Sequence, residues 1–309
     1  DGTMKKYLVQ KAGGFVLTAI VVSILTFLVL QVLPGDPALL MLGTEATPEI
    51  YARLRHELDL DRSPLIRYFQ WFLGFLRGEW GNSWRYSLPV QGLALQALPL
   101  SFTLALAAVG TALILAIPLG IFMAVKPLSL VARVLSVVTQ VSLGLPQFWV
   151  GLLLIQVFAV KLSLLPAGGH TTPLSLVLPT LTLALPRSAI LARFIRAGMG
   201  EAMQQDYVRT ARAKGLSNRV ITYKHALRNG VLPVFTIAGL QFAQLLAGTI
   251  VIEQVFGLPG VGQLLLAGVF QRDLPLVQAL VMLIVLFVLL FDLLFDLGLA
   301  LLDPRIRYE

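Results

Sequence analysis

Six separate runs of about 20 or more mostly apolar residues constrain this 309-residue chain more than any other feature. A helix of that length crosses the hydrocarbon core of a bilayer, and it satisfies its own backbone hydrogen bonds where no water is at hand. The runs fall near 12–33, 99–125, 133–160, 174–197, 230–252 and 275–301. The expectation is an all-α polytopic membrane protein with six transmembrane helices. Composition agrees, since 57% of residues are hydrophobic and only 13% charged, too few to cover a soluble domain of this size. Pro118, Pro146, Pro179 and Pro186 lie inside these runs, where neighbouring helices are expected to re-satisfy the interrupted backbone.

Asp1, Gly2 and Thr3 precede Met4, the expected natural start. Lys5, Lys6 and Lys11 then lead into a first run that is too long for a signal-peptide core and lacks a small-residue cleavage site, so it reads as an uncleaved first span. An even number of spans puts both termini on one side, and the basic residues choose which. With the termini inside, the inner segments hold 15 Lys and Arg against 8 outside, while acidic residues reverse to 5 inside and 9 outside. Both termini are therefore expected in the cytoplasm.

The net charge of +8 does not point to nucleic acid, because the basic residues lie beside apolar spans. The absence of cysteine excludes disulfides and thiolate metal sites, and His56, His170 and His225 have no ligand-like spacing. No metal or cofactor is expected in this chain.

Residues 34–98 form a long external segment with helical signals. Thr47 is a candidate N-cap followed by Glu49, and "LIRYFQWFLGFLRG" repeats apolar residues at helical spacing. Trp71, Trp80 and Trp84 are expected to rest at the headgroup level.

From Met199 to Asn229 there are six basic and two acidic residues. Burying eight charges at bilayer depth would cost on the order of 20 kcal/mol, so this segment belongs in the cytoplasm. It carries order nonetheless. Met203, Tyr207 and Ala211 share one helical face, and Leu216, Val220, Tyr223 and Leu227 share another. Gly215 is placed to end the first helix in a left-handed conformation, and Ser217 or Asn218 to cap the second. Such stripes require packing, either on this protein's own helix ends or on a separate cytoplasmic protein.

The segment "EAMQQDYVRTARAKGLSNRVITYKHALRNGVLP" is similar to the EAA loop of ABC importer permeases, with Glu201 and Ala202 opening it and Gly215 at its centre. "LPGDPA" (Leu33 to Ala38), "GEWGNSW" (Gly78 to Trp84), "LPQFWVG" (Leu145 to Gly151), "IEQVFGLPGVGQLL" (Ile252 to Leu265), "RDLPLVQ" (Arg272 to Gln278) and "LDPRIR" (Leu302 to Arg307) resemble, in the same order, the branch that imports dipeptides, oligopeptides and nickel. Met203 departs from the alanine often found at the third motif position.

The resemblance implies the first permease subunit of a binding-protein-dependent importer in a bacterial inner membrane. Its fold would be that of a type I ABC importer permease, with a helical extracytoplasmic insertion at 34–98 and a five-helix core at 99–309. It implies a second permease, two cytoplasmic ATPase subunits carrying ATP and Mg, and an extracytoplasmic substrate-binding protein. This chain has no G-x-x-x-x-G-K-[ST] phosphate loop and is not expected to be an enzyme. The ATPase-coupling residues would be Glu201, Ala202, Asp206, Tyr207, Arg209, Thr210, Ala211, Arg212, Ala213, Lys214, Gly215 and Leu216. Residues 253–274 would form an external scoop, with Glu253, Phe256, Arg272 and Asp273 at the vestibule.

Three ionisable residues fall within the expected spans, where a charge marks a functional candidate. Arg187 lies near the middle of the fourth run, where the family usually has an uncharged residue, and could line the pathway and meet a substrate carboxylate or another anionic group, or pair with a partner-subunit acid or a freed carbonyl near Pro186. Asp292 and Asp296, four residues apart in the last run, are expected to serve structure or subunit contact. No Met, His or Cys cluster lines a span, which favours a peptide or a chelated metal over a bare ion, with nickel, a metal–chelator complex or glutathione as alternatives. A stand-alone secondary transporter or channel is the alternative of another class.

Overall fold

A computed structural model of the chain describes residues 2–32, 36–43 and 47–302, and throughout them the secondary structure is helical apart from an isolated antiparallel bridge between Asn82 and Pro89. Helices are numbered in chain order. They divide between two compact units, one made of Asp1–Pro99 with Gly260–Leu289 and the other of Leu100–Pro259 with Leu290–Glu309.

In the first unit, α1 (Gly2–Val32) contains an apolar stretch, Gln10–Gln31, long enough to cross a membrane. Short helices α2 (Pro37–Leu42), α3 (Pro48–Glu57) and α4 (Pro64–Arg77) follow, each with proline in the first turn, where its missing N–H is no loss. Thr47 caps α3 by accepting from the Ile50 N–H at 3.4 Å, as expected. An aromatic seam joins α4 to α1: the Ser23 and Tyr68 hydroxyls share a 2.8 Å hydrogen bond, and the Phe27 ring meets Tyr68 edge-on with centroids 5.5 Å apart.

Two of the three tryptophans also pack within this unit. Trp71 packs between Phe27 and Phe75, and Trp80 stacks on Phe75 with centroids 5.1 Å apart, donating its indole N–H to the Phe75 carbonyl. Their area is spent on joining elements. The exposed apolar face of α4 is instead Leu65, Ile66, Phe69, Leu73 and Leu76. The beginning of α5 (Val90–Val125), α13 (Val261–Gln271) and the beginning of α14 (Leu274–Leu302) complete this unit, around Phe75, Val90, Ala94, Val261, Leu276 and Leu280.

The second unit is built on α8 (Val177–Ala202), which packs on α6 (Leu130–Ser142), α7 (Gln147–Leu154), α11 (Leu227–Gly230) and α12 (Leu232–Phe256). Pro186 sits inside α8 without ending it, as expected of a helix supported on several sides. The third run behaves differently. It is not one helix over 133–160 but a pair, α6 and then α7 extended as a π-helix to Lys161, bent by 113° at Leu143–Pro146. Pro146 lacks an N–H and disfavours helical backbone at Leu145, so the chain breaks there. α12 ends at Gly257, which is left-handed at φ +60°. Among the described residues, four helices are long and apolar enough to cross a membrane, or up to six if each bent pair of helices counts as one span.

Small residues let these helices approach closely. A Cβ added at Gly198 of α8 would lie 2.3 Å from the Gly230 carbonyl oxygen of α11, so the two backbones touch where only glycine leaves room.

Candidate functional site

The charged stretch after α8 folds as expected in outline. Met203 ends α8, α9 runs Asp206–Ala213, Gly215 turns the chain at φ +74°, and Ser217 caps α10 (Asn218–Val220) by accepting from the Val220 N–H at 3.5 Å. A π-helical stretch, Ile221–Ala226, and α11 carry the chain directly into α12. The residue before a left-handed glycine turn needs no special side chain; the glycine removes a steric cost of about 1–2 kcal/mol.

The apolar stripes divide in a way that helical periodicity alone did not settle. Val208, Ala211 and Ile221 are buried against one another with Met203 alongside, and Ala226 joins the α8 core. Tyr207, Leu216, Val220 and Tyr223 are exposed, Tyr223 by 60%. Of the expected coupling residues, Ala202 and Ala211 are buried, whereas Glu201, Asp206, Tyr207, Arg209, Thr210, Arg212, Ala213, Lys214, Gly215 and Leu216 face outward. Asp206 and Arg209 lie 3.8 Å apart, an exposed ion pair of little energetic weight. One face thus anchors the segment to its own unit, and the other presents aromatic and aliphatic side chains among basic residues.

Arg187 emerges from α8 beside α12. Its Nη1 donates to the Gln241 side-chain oxygen at 2.6 Å and to that of Gln244 at 3.0 Å, while its Nε is buried with no hydrogen-bond partner. Gln241 and Gln244 are one turn apart on α12. Polar amides in an apolar span are the signal that could have singled them out from sequence.

Of the residues expected at the external vestibule, Glu253, Phe256 and Asp273 are buried. Glu253 is fully buried, and its Oε1 accepts the Ser101 hydroxyl at 2.6 Å. Asp273, 1% exposed, accepts from the Ser83 hydroxyl, the Arg85 N–H at 3.1 Å and the Leu276 N–H at 3.2 Å, tying the 78–89 loop to the start of α14. Phe256 is buried, and its carbonyl accepts the Gly169 N–H at 2.8 Å. Arg272 ends α13 at φ +54°. These acids are enclosed because each serves as the acceptor for groups that would otherwise be buried unsatisfied. Asp292 is exposed on α14, and the Asp296 side chain lies outside the described residues, as do Leu33 to Gly35 and Asp303 to Arg307 of the quoted stretches.

In the first unit, Asp36, the N-cap of α2, organises a polar cluster. It accepts from Tyr51 at 2.7 Å and from the Ala38 N–H at 2.9 Å, and pairs with Arg55, which also reaches Asp61 at 3.0 Å. Burial alone would raise the Asp36 pKa, but the Tyr51 and Ala38 hydrogen bonds and the Arg55 charge together hold it below its ordinary value. The Tyr51 and Asp61 hydrogen bonds raise that of Arg55. Burial lowers that of Arg67, which donates to Gln31 at 3.4 Å across a cavity of about 300 Å³.

Helices of membrane length and a charged segment with one buried and one exposed face are those of a helical membrane protein. The fold is shared with solved ABC importers. The chain superposes on a chain of the inward-facing MetNI methionine ABC transporter with a TM-score of 0.61 at 15% identity, covering 70% of this chain and 98% of that one. For an amino acid ABC transporter the values are 0.50 and 20%, covering 69% and 94%.

Residues 116–308 match the family described as binding-protein-dependent transport system inner membrane component, and residues 4–114 match its N-terminal family. This chain belongs to that family and is an ABC importer permease. A glutathione transport system permease protein of Pectobacterium atrosepticum is 41% identical over 308 residues, covering 99% of this chain and all of that protein. A putative peptide transport system permease protein of Brucella abortus is 35% identical over 319 residues with the same coverage. Membership in this family sets aside the alternative of another class, a stand-alone secondary transporter or channel.

Proposed function

We propose that this chain is one of two membrane-spanning subunits of an ATP-driven importer of short peptides, with both termini in the cytoplasm. A second permease, two ATPase subunits that bind ATP and Mg, and an extracytoplasmic binding protein would complete the complex. The observation that carries this reading is the split of the 199–229 segment. Val208, Ala211 and Ile221 pack its parts together, Ala226 and Met203 join it to the α8 core, and Tyr207, Leu216, Val220 and Tyr223 stand exposed beside Arg209, Arg212 and Lys214.

Exposed aromatic and aliphatic side chains ringed by arginines suit a protein partner, and the anchored face would pass that partner's movement to α8 and α12. ATP-driven closure of the ATPase pair biases the permease toward one access state only to the extent that the docked segment contacts the ATPases differently in the two states. Residues 206–215 would enter the ATPase groove. Residues 253–274 would form the external scoop, with Glu253 and Asp273 each held by hydrogen bonds within its own unit.

Peptides are favoured by the naming of the Brucella relatives, and glutathione, itself a small peptide, by that of the Pectobacterium relative. The ligand retained by the cognate binding protein names the substrate. Isolation of the chain with two ATPase subunits and a second permease is the expected result, and ion-gradient-driven uptake by the purified chain alone would overturn the reading.

A further inference from the structure

We propose that Arg187 receives a carboxylate of the transported solute, so that this permease distinguishes solutes with a free carboxylate from neutral analogues. The inference rests on the importer reading above and adds a chemical selectivity to it.

A guanidinium within a membrane-length helix is costly, at roughly 2.5–3.5 kcal/mol or more. The usual resolution is an acidic partner, and none lies within ion-pair distance of Arg187 among the described residues. Two glutamine oxygens hold Nη1 from one side. They supply dipoles and no compensating charge, and they fix the direction in which the guanidinium points. Nε, buried and without a partner, shows that the chain itself leaves this group incompletely satisfied. An arginine serving only to hold helices together would be expected to spend its donors on them.

Gly248 borders Nη2 on the α12 side. A Cβ built on Gly248, two turns along α12 from Gln241, would stand 3.9 Å from Arg187 Nη2 and 3.5 Å from the Gln147 side-chain oxygen, with no other atom closer. These are ordinary contact distances, so Gly248 leaves room for about one methyl group beside the arginine on α8 and the amide at the start of α7. The group that would satisfy the guanidinium carries negative charge and accepts hydrogen bonds from N–H donors. A carboxylate does both, and charge-assisted bonds of this kind are about twice as strong as neutral ones. Peptides carry such a group at the C-terminus, and glutathione carries two.

The test compares three probes, trialanine, trialanine C-terminal amide and glutathione, in uptake by the complete reconstituted transporter with its binding protein. Using the same binding protein throughout makes the variant-to-wild-type ratio report on the permease. Arg187→Gln is expected to lower uptake of the free-acid probes by about tenfold or more while changing amide uptake by less than about twofold. Gly248→Val fills the flank without removing the charge. It is expected to shift the acid-to-amide ratio in the same direction with the complex still assembled by size-exclusion chromatography.

Equal losses for acid and amide, or an unchanged ratio in both variants, would overturn the carboxylate role. If Arg187→Gln fails to assemble, Gly248→Val decides, and an unchanged ratio there refutes the inference. Silence of the wild-type complex toward all three probes would instead sink the peptide reading on which the inference rests.

Discussion

Gly198 and Gly200 lie two residues apart in the last turns of α8, yet replacing each by alanine is expected to have opposite effects. A Cβ at position 198 would fall 2.3 Å from the Gly230 oxygen and 3.2 Å from its carbonyl carbon, whereas one at position 200 would meet nothing within 4 Å. The obstruction at 198 is backbone and cannot rotate away, so α8 and α11 must separate by roughly 1 Å, an overpacking that costs about 1–3 kcal/mol. Both variants gain helix propensity worth up to about 1 kcal/mol over glycine. The shared gain cancels in the comparison, leaving Gly198→Ala less stable than Gly200→Ala by about 1–3 kcal/mol.

Because α11 leads out of the 199–229 segment, the same displacement should loosen its seat on α8. The assay is denaturant unfolding of the purified complex in detergent followed by circular dichroism, with substrate-stimulated ATP hydrolysis measured alongside. Gly198→Ala should unfold earlier and lose stimulation, and Gly200→Ala should match or exceed wild type. If the two variants unfold within about 0.5 kcal/mol of each other, the backbone contact does not carry the packing assigned to it.

Tyr223→Asp and Leu216→Asp alter exposed positions and should change stability by less than about 0.5 kcal/mol while reducing the ATPase that copurifies with the permease; Val208→Asp, buried in the same segment, should instead unfold it. Asp273→Asn keeps the shape of the side chain but weakens its acceptance of Ser83, Arg85 and Leu276, and should cost about 1–3 kcal/mol, read as earlier unfolding with transport chemistry otherwise intact. The depressed Asp36 pKa contributes stability that is present above its ordinary value of 3.8 and lost as pH falls from there through the lower folded value. Proteolysis of α3 should therefore accelerate in that acid window, and Asp36→Asn should abolish this pH dependence.

Particular elements show how far the residues alone could be read. The Thr47 cap, the left-handed turn at Gly215 and the Ser217 cap were legible because each depends on the chemistry of a few neighbouring residues. The third run was not, since hydropathy over 133–160 records only that the residues are apolar, and the 113° bend is decided by Leu145 and Pro146 together with the helices available to receive each half. Arg187 stood out as a charge among apolar residues, but Gln241 and Gln244 did not, because their part depends on a helix 54 residues away bringing them to it.

The sequence by itself determined what is local or additive. Membrane-length apolar runs demand helices, the bias of Lys and Arg sets an expected orientation, and the motifs spread over the chain point to the importer family. Tertiary structure alone decided which members of a stripe are buried. Val208 and Tyr207 are adjacent in sequence and both apolar enough to pack, yet one is covered by Ile221 and the other is left exposed. It also enclosed Glu253 and Asp273, which their sequence position suggested would line a rim, because Ser101 and Ser83 come from far along the chain to donate to them. Burial is a property of which surfaces meet, and that information lies in the packing of distant segments.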